Sequence, residues 1–138
     1  MKYYFFKATD SVSEDFGGET YGPLIRLRPK YANDHGLLEY EKTHVRQWYA
    51  LMAIGVLLCT MLTLFASSAL WPVYGLAPWL HTLLYKFVRP YRRWSEVQAY
   101  RKQIATGGYN NAEFAVTALV EKYGLRLTVD EARTLLTN

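Results

Sequence analysis

Apolar and polar positions alternate along the chain in four successive patterns. Near the start, Lys2-Tyr-Tyr-Phe-Phe-Lys7 and Pro23-Leu-Ile-Arg-Leu-Arg-Pro29 are aromatic or aliphatic runs with some alternation, separated by an acidic, glycine-containing loop from Asp10 to Gly22. These runs predict two short strands forming a small hairpin. Asn33-Asp34 supplies an N-cap, and Leu37, Leu38, Val45 and Trp48 recur with helical spacing over 36–48. From Ala50 to Leu70 every side chain is apolar or small, a run long enough to cross ~30 Å of hydrocarbon as a helix. Trp71-Pro72-Val-Tyr-Gly75-Leu-Ala-Pro78-Trp79 interrupts it, and a second apolar stretch to Val88 carries Leu80, Leu83, Leu84, Phe87 and Val88 at helical spacing. The middle therefore reads as one span or as a helical hairpin with Trp71, Tyr74 and Trp79 at its tip. Beyond it, 111–123 forms an amphipathic helix stopped by Gly124, and Thr128-Val-Asp-Glu131 is a capping box opening a last short helix. The fold class expected is mainly α (α+β): a β-rich segment over 1–35, a motif helix over 36–49, an apolar hairpin or membrane segment over 50–88, and a basic, helical part over 89–138.

Composition narrows the function classes. The chain has 138 residues, which fits one domain, and its 51% hydrophobic and 16% aromatic content excludes disorder over most of its length. The single Cys59 excludes a disulfide framework and every cysteine-rich zinc module. A net charge of +4 is too modest to argue for nucleic acid. Its distribution says more, because Gln47 to Tyr85 contains no Asp, Glu, Lys or Arg. That gap predicts contact with membrane lipid or another hydrophobic partner, a second copy of the chain included. A cleaved signal peptide is not expected, since the apolar run begins far from Met1. Lys86, Arg89, Arg92 and Arg93, interleaved with Tyr85, Phe87, Tyr91 and Trp94, suit an anchor on anionic lipid better than a nucleic-acid surface. Trp71 and Trp79 suit the membrane interface.

One helix carries candidate chemistry. In Glu39-Tyr40-Glu41-Lys42-Thr43-His44, positions 40 and 44 lie one turn apart on the same face. The zinc-peptidase pattern H-E-x-x-H needs that placement: two imidazoles hold the ion and the Glu polarises a metal-bound water. Glu41 and His44 match the second and fifth positions, whereas the first is Tyr40. As spacing alone, Glu-x-x-His is also an ordinary surface pair on a helix.

From Arg28-Pro-Lys-Tyr through Leu37-Leu-Glu-Tyr-Glu-Lys-Thr-His-Val-Arg-Gln-Trp48, across the apolar stretch, to Tyr91-Arg-Arg-Trp-Ser-Glu-Val-Gln-Ala-Tyr-Arg101, the chain resembles the short gluzincin-type metallopeptidases of tailed bacteriophages and bacteria. The resemblance covers roughly residues 23–104. It implies His44 and Glu96 as zinc ligands, Glu41 as general base, and Tyr40 in the place of the first ligand. In an active site, Tyr100 or Arg101 would be the expected donor to the oxyanion.

Three readings of the departure at Tyr40 stay open. Tyr40 is itself a ligand, His35 or His81 substitutes for the missing imidazole, or the site is degenerate and the fold serves another use. A phenol must lose a proton of pKa ~10 to bind a cation, while imidazole binds neutral, and His81 on an apolar stretch is more often packed than ligating. The expectation adopted is a membrane-associated metallopeptidase-like protein with a degenerate site and a structural role, a bacteriophage virion or genome-delivery component by the resemblance. The alternative is an active minimal zinc peptidase.

Overall fold

The computed structural model describes residues 2–137 and is mainly helical with a small N-terminal sheet. Strands β1 (Phe5–Ala8), β2 (Gly18–Tyr21) and β3 (Leu24–Leu27) form a sheet in the order β1-β3-β2. The hairpin expected between the first and last of these runs is not what forms. β1 pairs parallel with β3, and the antiparallel partner of β3 is β2, inside the stretch expected to be loop. The tight turn between β2 and β3 uses Gly22 in the left-handed region, at φ 56°. Across that pair Glu19 sits opposite Arg26 and accepts from its guanidinium at 2.8 Å. Ile25 and Leu27 point the other way, fully buried against Val45, Leu37 and Leu38.

Helix α1 runs from His35 to Phe65 without a break, so the motif helix and the apolar run are one element. Nothing at 49–50 interrupts it, because neither proline nor glycine stands there and the change is only from amphipathic to apolar. Asp34 caps it, accepting from the backbone N–H of Leu37 at 2.9 Å. After α1 the chain turns at 66–67 and returns through 3-10 turns over Ser68–Trp79, where Pro72 and Pro78 deny the α-helical ladder its donors.

The return arm lies along α1. Tyr74 Oη donates to Thr60 Oγ1 at 2.9 Å, and Trp48 Nε1 donates to the carbonyl of Pro78 at 2.8 Å. Gly55 admits Ala77 between them: a Cβ at Gly55 would lie 3.0 Å from the Ala77 Cα. The two arms therefore form a hairpin with its tip at 66–70 and both feet at the same end. Trp71 stands near that tip, while Trp79, expected there too, lies at the root, one residue from the Pro78 that Trp48 grips.

Helices α2 (Leu80–Phe87) and α3 (Arg89–Gly107) follow, and α3 crosses back against the first half of α1. Helices α4 (Glu113–Glu121) and α5 (Val129–Thr137) close the core, which joins Tyr40, Val97, Ala99, Tyr100, Ala115, Leu119, Leu125 and Ala132. Gly124 ends its helix region at φ 60°, and the Thr128–Glu131 capping box forms reciprocally, the Glu131 N–H reaching Thr128 Oγ1 at 3.2 Å and the Thr128 N–H reaching Glu131 Oε2 at 2.8 Å.

Candidate functional site

The first half of α1 buries polar side chains. Tyr40, Glu41, His44 and Gln47 lie within one stripe at spacings of three and four, and α3 meets that stripe with Ser95 and Glu96. Glu96 is 1% exposed and Glu41 2% exposed, so each requires partners inside the protein.

Glu96 is satisfied by phenols. Tyr40 Oη donates to Glu96 Oε2 at 2.5 Å and Tyr85 Oη donates to Oε1. Tyr123 Oη stands 2.9 Å from both Tyr40 Oη and Tyr100 Oη, extending the chain of hydroxyls into the core. Burial and the neighbouring Glu96 both hold the Tyr40 phenol well above its ordinary pKa. In this arrangement Tyr40 is a neutral hydrogen-bond donor to Glu96.

His44 is oriented from behind. Gln47 Nε2 donates to the Ser95 carbonyl at 3.2 Å, which fixes the amide so that Gln47 Oε1 faces His44 Nδ1 at 3.1 Å. Ser95 Oγ donates to the same Oε1 at 2.6 Å. An amide oxygen only accepts, so His44 donates to it through Nδ1–H. The Nε2 of His44 lies 3.7 Å from Glu96 Oε1. The two helices expected to bring imidazole and carboxylate together do so.

Glu41 lies on the other side of Tyr40's stripe and meets strand β2. Thr20 Oγ1 donates to Glu41 Oε2 at 2.6 Å, and Gly18 lets the strand pass close, since a Cβ there would stand 2.6 Å from Glu41 Oε1. Burial, helped by the charge of Glu96, raises the Glu41 carboxyl to about 8 despite the Thr20 bond. A carboxyl tuned to that range exchanges a proton near neutrality.

Thr20, Tyr40, Glu41, His44, Tyr85 and Glu96 line one cavity of about 680 Å³, walled by β2 on one side and by α1, α2 and α3 on the others. His81 lines it as well. Its ring centroid is 6.4 Å from that of His44, its Nδ1 is 2.6 Å from Tyr91 Oη, and burial lowers its pKa to about 4. His35 is exposed at the start of α1, outside the cavity. Arg101 turns away to the Leu135 carbonyl at 2.9 Å, and Tyr100 is 7% exposed within the core. The cations at the cavity wall are instead Arg92 and Lys122. Arg92 spends its guanidinium on the carbonyls of Tyr85, Lys86 and Tyr123, whereas Arg89 and Arg93 are exposed.

Thr20, Gln47, Tyr85, Ser95 and Tyr123 were not singled out by sequence reasoning. Two had a readable signal: Gln47 is three residues from His44 and Tyr85 four from His81, each on its neighbour's face. Thr20, Ser95 and Tyr123 reach the site only through tertiary contacts.

As they stand, no three His, Cys, Asp or Glu side chains among the described residues form a ready metal-holding group. His44 Nε2 and Glu96 Oε1 stand 3.7 Å apart, and the two Glu96 oxygens are held by Tyr40 and Tyr85. No family model, curated protein or solved structure matches the chain.

Proposed function

We propose that the chain is a membrane-associated, metallopeptidase-like protein whose Tyr40-substituted site serves a structural rather than a catalytic role. One observation carries this reading: a single helix, α1, bears the cleft's buried Glu41 and His44 in its first half and an uncovered apolar face in its second. Only 11% of the most apolar window of α1 is buried, which is unlike a core helix. Ile54, Val56, Leu57, Leu58, Met61 and Leu64 are exposed together, an apolar patch of the kind that marks a lipid or protein interface. With both feet at one end, the hairpin fits insertion from one side, with its tip in the acyl region and Arg89 and Arg93 free for anionic headgroups.

The degenerate reading rests on Tyr40. Its hydroxyl occupies Glu96 Oε2 by hydrogen bond, and Tyr85 occupies Oε1, so the carboxylate expected as a ligand is already held by phenols. A role as a virion or genome-delivery component follows the sequence resemblance.

A second reading, an active minimal zinc peptidase, is favoured by the Glu41 carboxyl in the same cavity as His44. Bound zinc would polarise a peptide carbonyl and water there. Glu41, where ionised, would then take the water proton, with Thr20 holding its carboxylate in place.

Flotation with liposomes containing anionic lipid, joined to hydrolysis of a fluorogenic peptide library with added zinc, tests both readings. Flotation without hydrolysis is expected. Hydrolysis abolished by Glu41→Gln would establish the second reading, and failure to float would remove the membrane role.

A further inference from the structure

We infer that the free edge of β1 is a self-association surface, on which a second copy of the chain adds its own β1 antiparallel across a twofold axis at Phe6. The contact involves the sheet alone and depends neither on the membrane reading nor on chemistry in the cleft.

The sheet has one covered edge and one open edge. β2 closes its side against α1, where Thr20 donates to Glu41. β1 lies at the other side with β3 as its one substantial neighbour. All four of its residues are exposed, Phe5 at 70% and Phe6 at 44%. Edges are ordinarily blunted by proline, a bulge or charge. β1 contains no proline, pairs with β3 in unbroken register, and carries Lys7 as its one charge.

The backbone fixes which groups a new strand can reach. The N–H groups of Phe5 and Thr9 bond to the carbonyls of Pro23 and Leu27. The two-residue repeat of a strand puts Lys7 with them, so the N–H and C=O of Phe6 and Ala8 point away from β3. An antiparallel copy must set these outward residues opposite one another, which registers centred on Phe5, Phe6 or Lys7 achieve.

Side chains choose among the three. Centring on Lys7 sets two ammonium groups directly opposite, which is destabilising. Centring on Phe5 sets Phe6, Lys7 and Ala8 against the bend at Tyr3 and Tyr4 and the residue before it. Centring on Phe6 keeps Phe5, Phe6 and Lys7 opposite strand residues and places each Phe5 ring against the Lys7 of the other copy. Lys42 and Arg46 already make such cation–π contacts with Tyr4 and Tyr3 beside this strand. The charge that blunts the edge against other strands thus has a partner here. Beyond the strand, Lys2 of one copy falls at the Asp10 end of the other, so opposite charges meet at both ends. Phe6 shares a row with the fully buried Ile25, and pairing it with its counterpart carries the apolar layer under α1 across the axis.

The test is sedimentation of the full chain in density-matched detergent, where a reversible dimer is expected. Phe6→Pro removes an outward N–H and spares the bonds to β3, and should weaken dimerisation by roughly 10–100-fold with the circular dichroism unchanged. In a Cys59→Ala background, Phe6→Cys should form an intermolecular disulfide under mild oxidation, because directly opposed Cα atoms stand ~5.5 Å apart, and Lys7→Cys should not. If Phe6→Pro fails to fold, this cross-linking pattern decides. A monomer at all concentrations overturns the inference, as does cross-linking at Lys7→Cys in place of Phe6→Cys. A dimer dissociated by Leu57→Lys and left intact by Phe6→Pro assigns the contact to the hairpin and overturns it as well.

Discussion

The two halves of α1 invert the usual rule for what a helix buries. From His35 to Trp48 the buried side chains include Glu41, Thr43, His44 and Gln47, while from Tyr49 to Phe65 the exposed ones include Leu57, Leu58, Leu64 and Phe65. A polar group in the interior costs ~1–3 kcal/mol if left unpaired, and an apolar one at the surface forfeits ~25 cal/mol per Å². The first half avoids its cost by pairing: Tyr40 donates to Glu96 of α3, Glu41 takes Thr20, and His44 takes Gln47. The second half makes no such arrangement, because its partner within the chain is a thin arm that covers one side only. Polar side chains gathered from two helices into one cavity wall set the first half apart from an ordinary core, and exposure of apolar groups without cover marks the second as a candidate contact surface. One continuous helix couples the two.

The contrast can be broken at either half. Glu96→Leu leaves the hydroxyls of Tyr40 and Tyr85 without an acceptor and is expected to lower stability by ~3–5 kcal/mol in chemical unfolding, with membrane flotation of the folded fraction unchanged. Leu57→Lys acts on the other half: a charge on the side proposed to face lipid should cost ~2.5–3.5 kcal/mol of insertion, seen as a roughly 100-fold fall in vesicle partition with the cleft intact. Gly18→Ala drives a methyl against Leu27 and Glu41, and should lower stability by ~1–3 kcal/mol while shifting the strand that supports Thr20.

The smallest effect expected is on pH dependence. The Glu41 carboxyl, raised to about 8 in the folded chain, stays protonated where the unfolded one, at its ordinary value of 4.5, has ionised. Stability from this group is therefore full below 4.5 and lost as pH rises through 8. His81, lowered to about 4 from 6.5, works in the opposite sense, its contribution full above 6.5 and lost as pH falls toward 4. Between 6.5 and 8 only the Glu41 loss operates, at up to about 1.4 kcal/mol per pH unit, and Glu41→Gln should flatten that slope in urea titrations.

Much of this was legible from local chemistry. The Asp34 cap, the Thr128–Glu131 box, the Gly124 stop and the mainly helical class all rest on residues within a few positions of one another. So did the stripe of Tyr40, Glu41 and His44. Strand β2 was not legible, because Gly18-Glu-Thr-Tyr21 lacks an aliphatic run and becomes a strand only by pairing with β3 and passing over Glu41. The unbroken passage of α1 from motif to apolar run was hidden by the change in periodicity, which marks a change of surroundings rather than an end of helix. His81 was read from its apolar surroundings as packed rather than ligating, and its place on the cavity wall near His44 was not legible because it is set by how α2 folds back.

The proposed insertion of the hairpin into lipid, with the polar cleft held outside it, is tested most directly by depth-dependent quenching. Two single-tryptophan proteins, one keeping Trp71 near the tip and one keeping Trp48 at the root, are reconstituted into vesicles whose lipids carry bromine deep in the acyl chains. Strong quenching of Trp71 with weak quenching of Trp48 is the expected result. Equal quenching of the two, or none of Trp71, would contradict it.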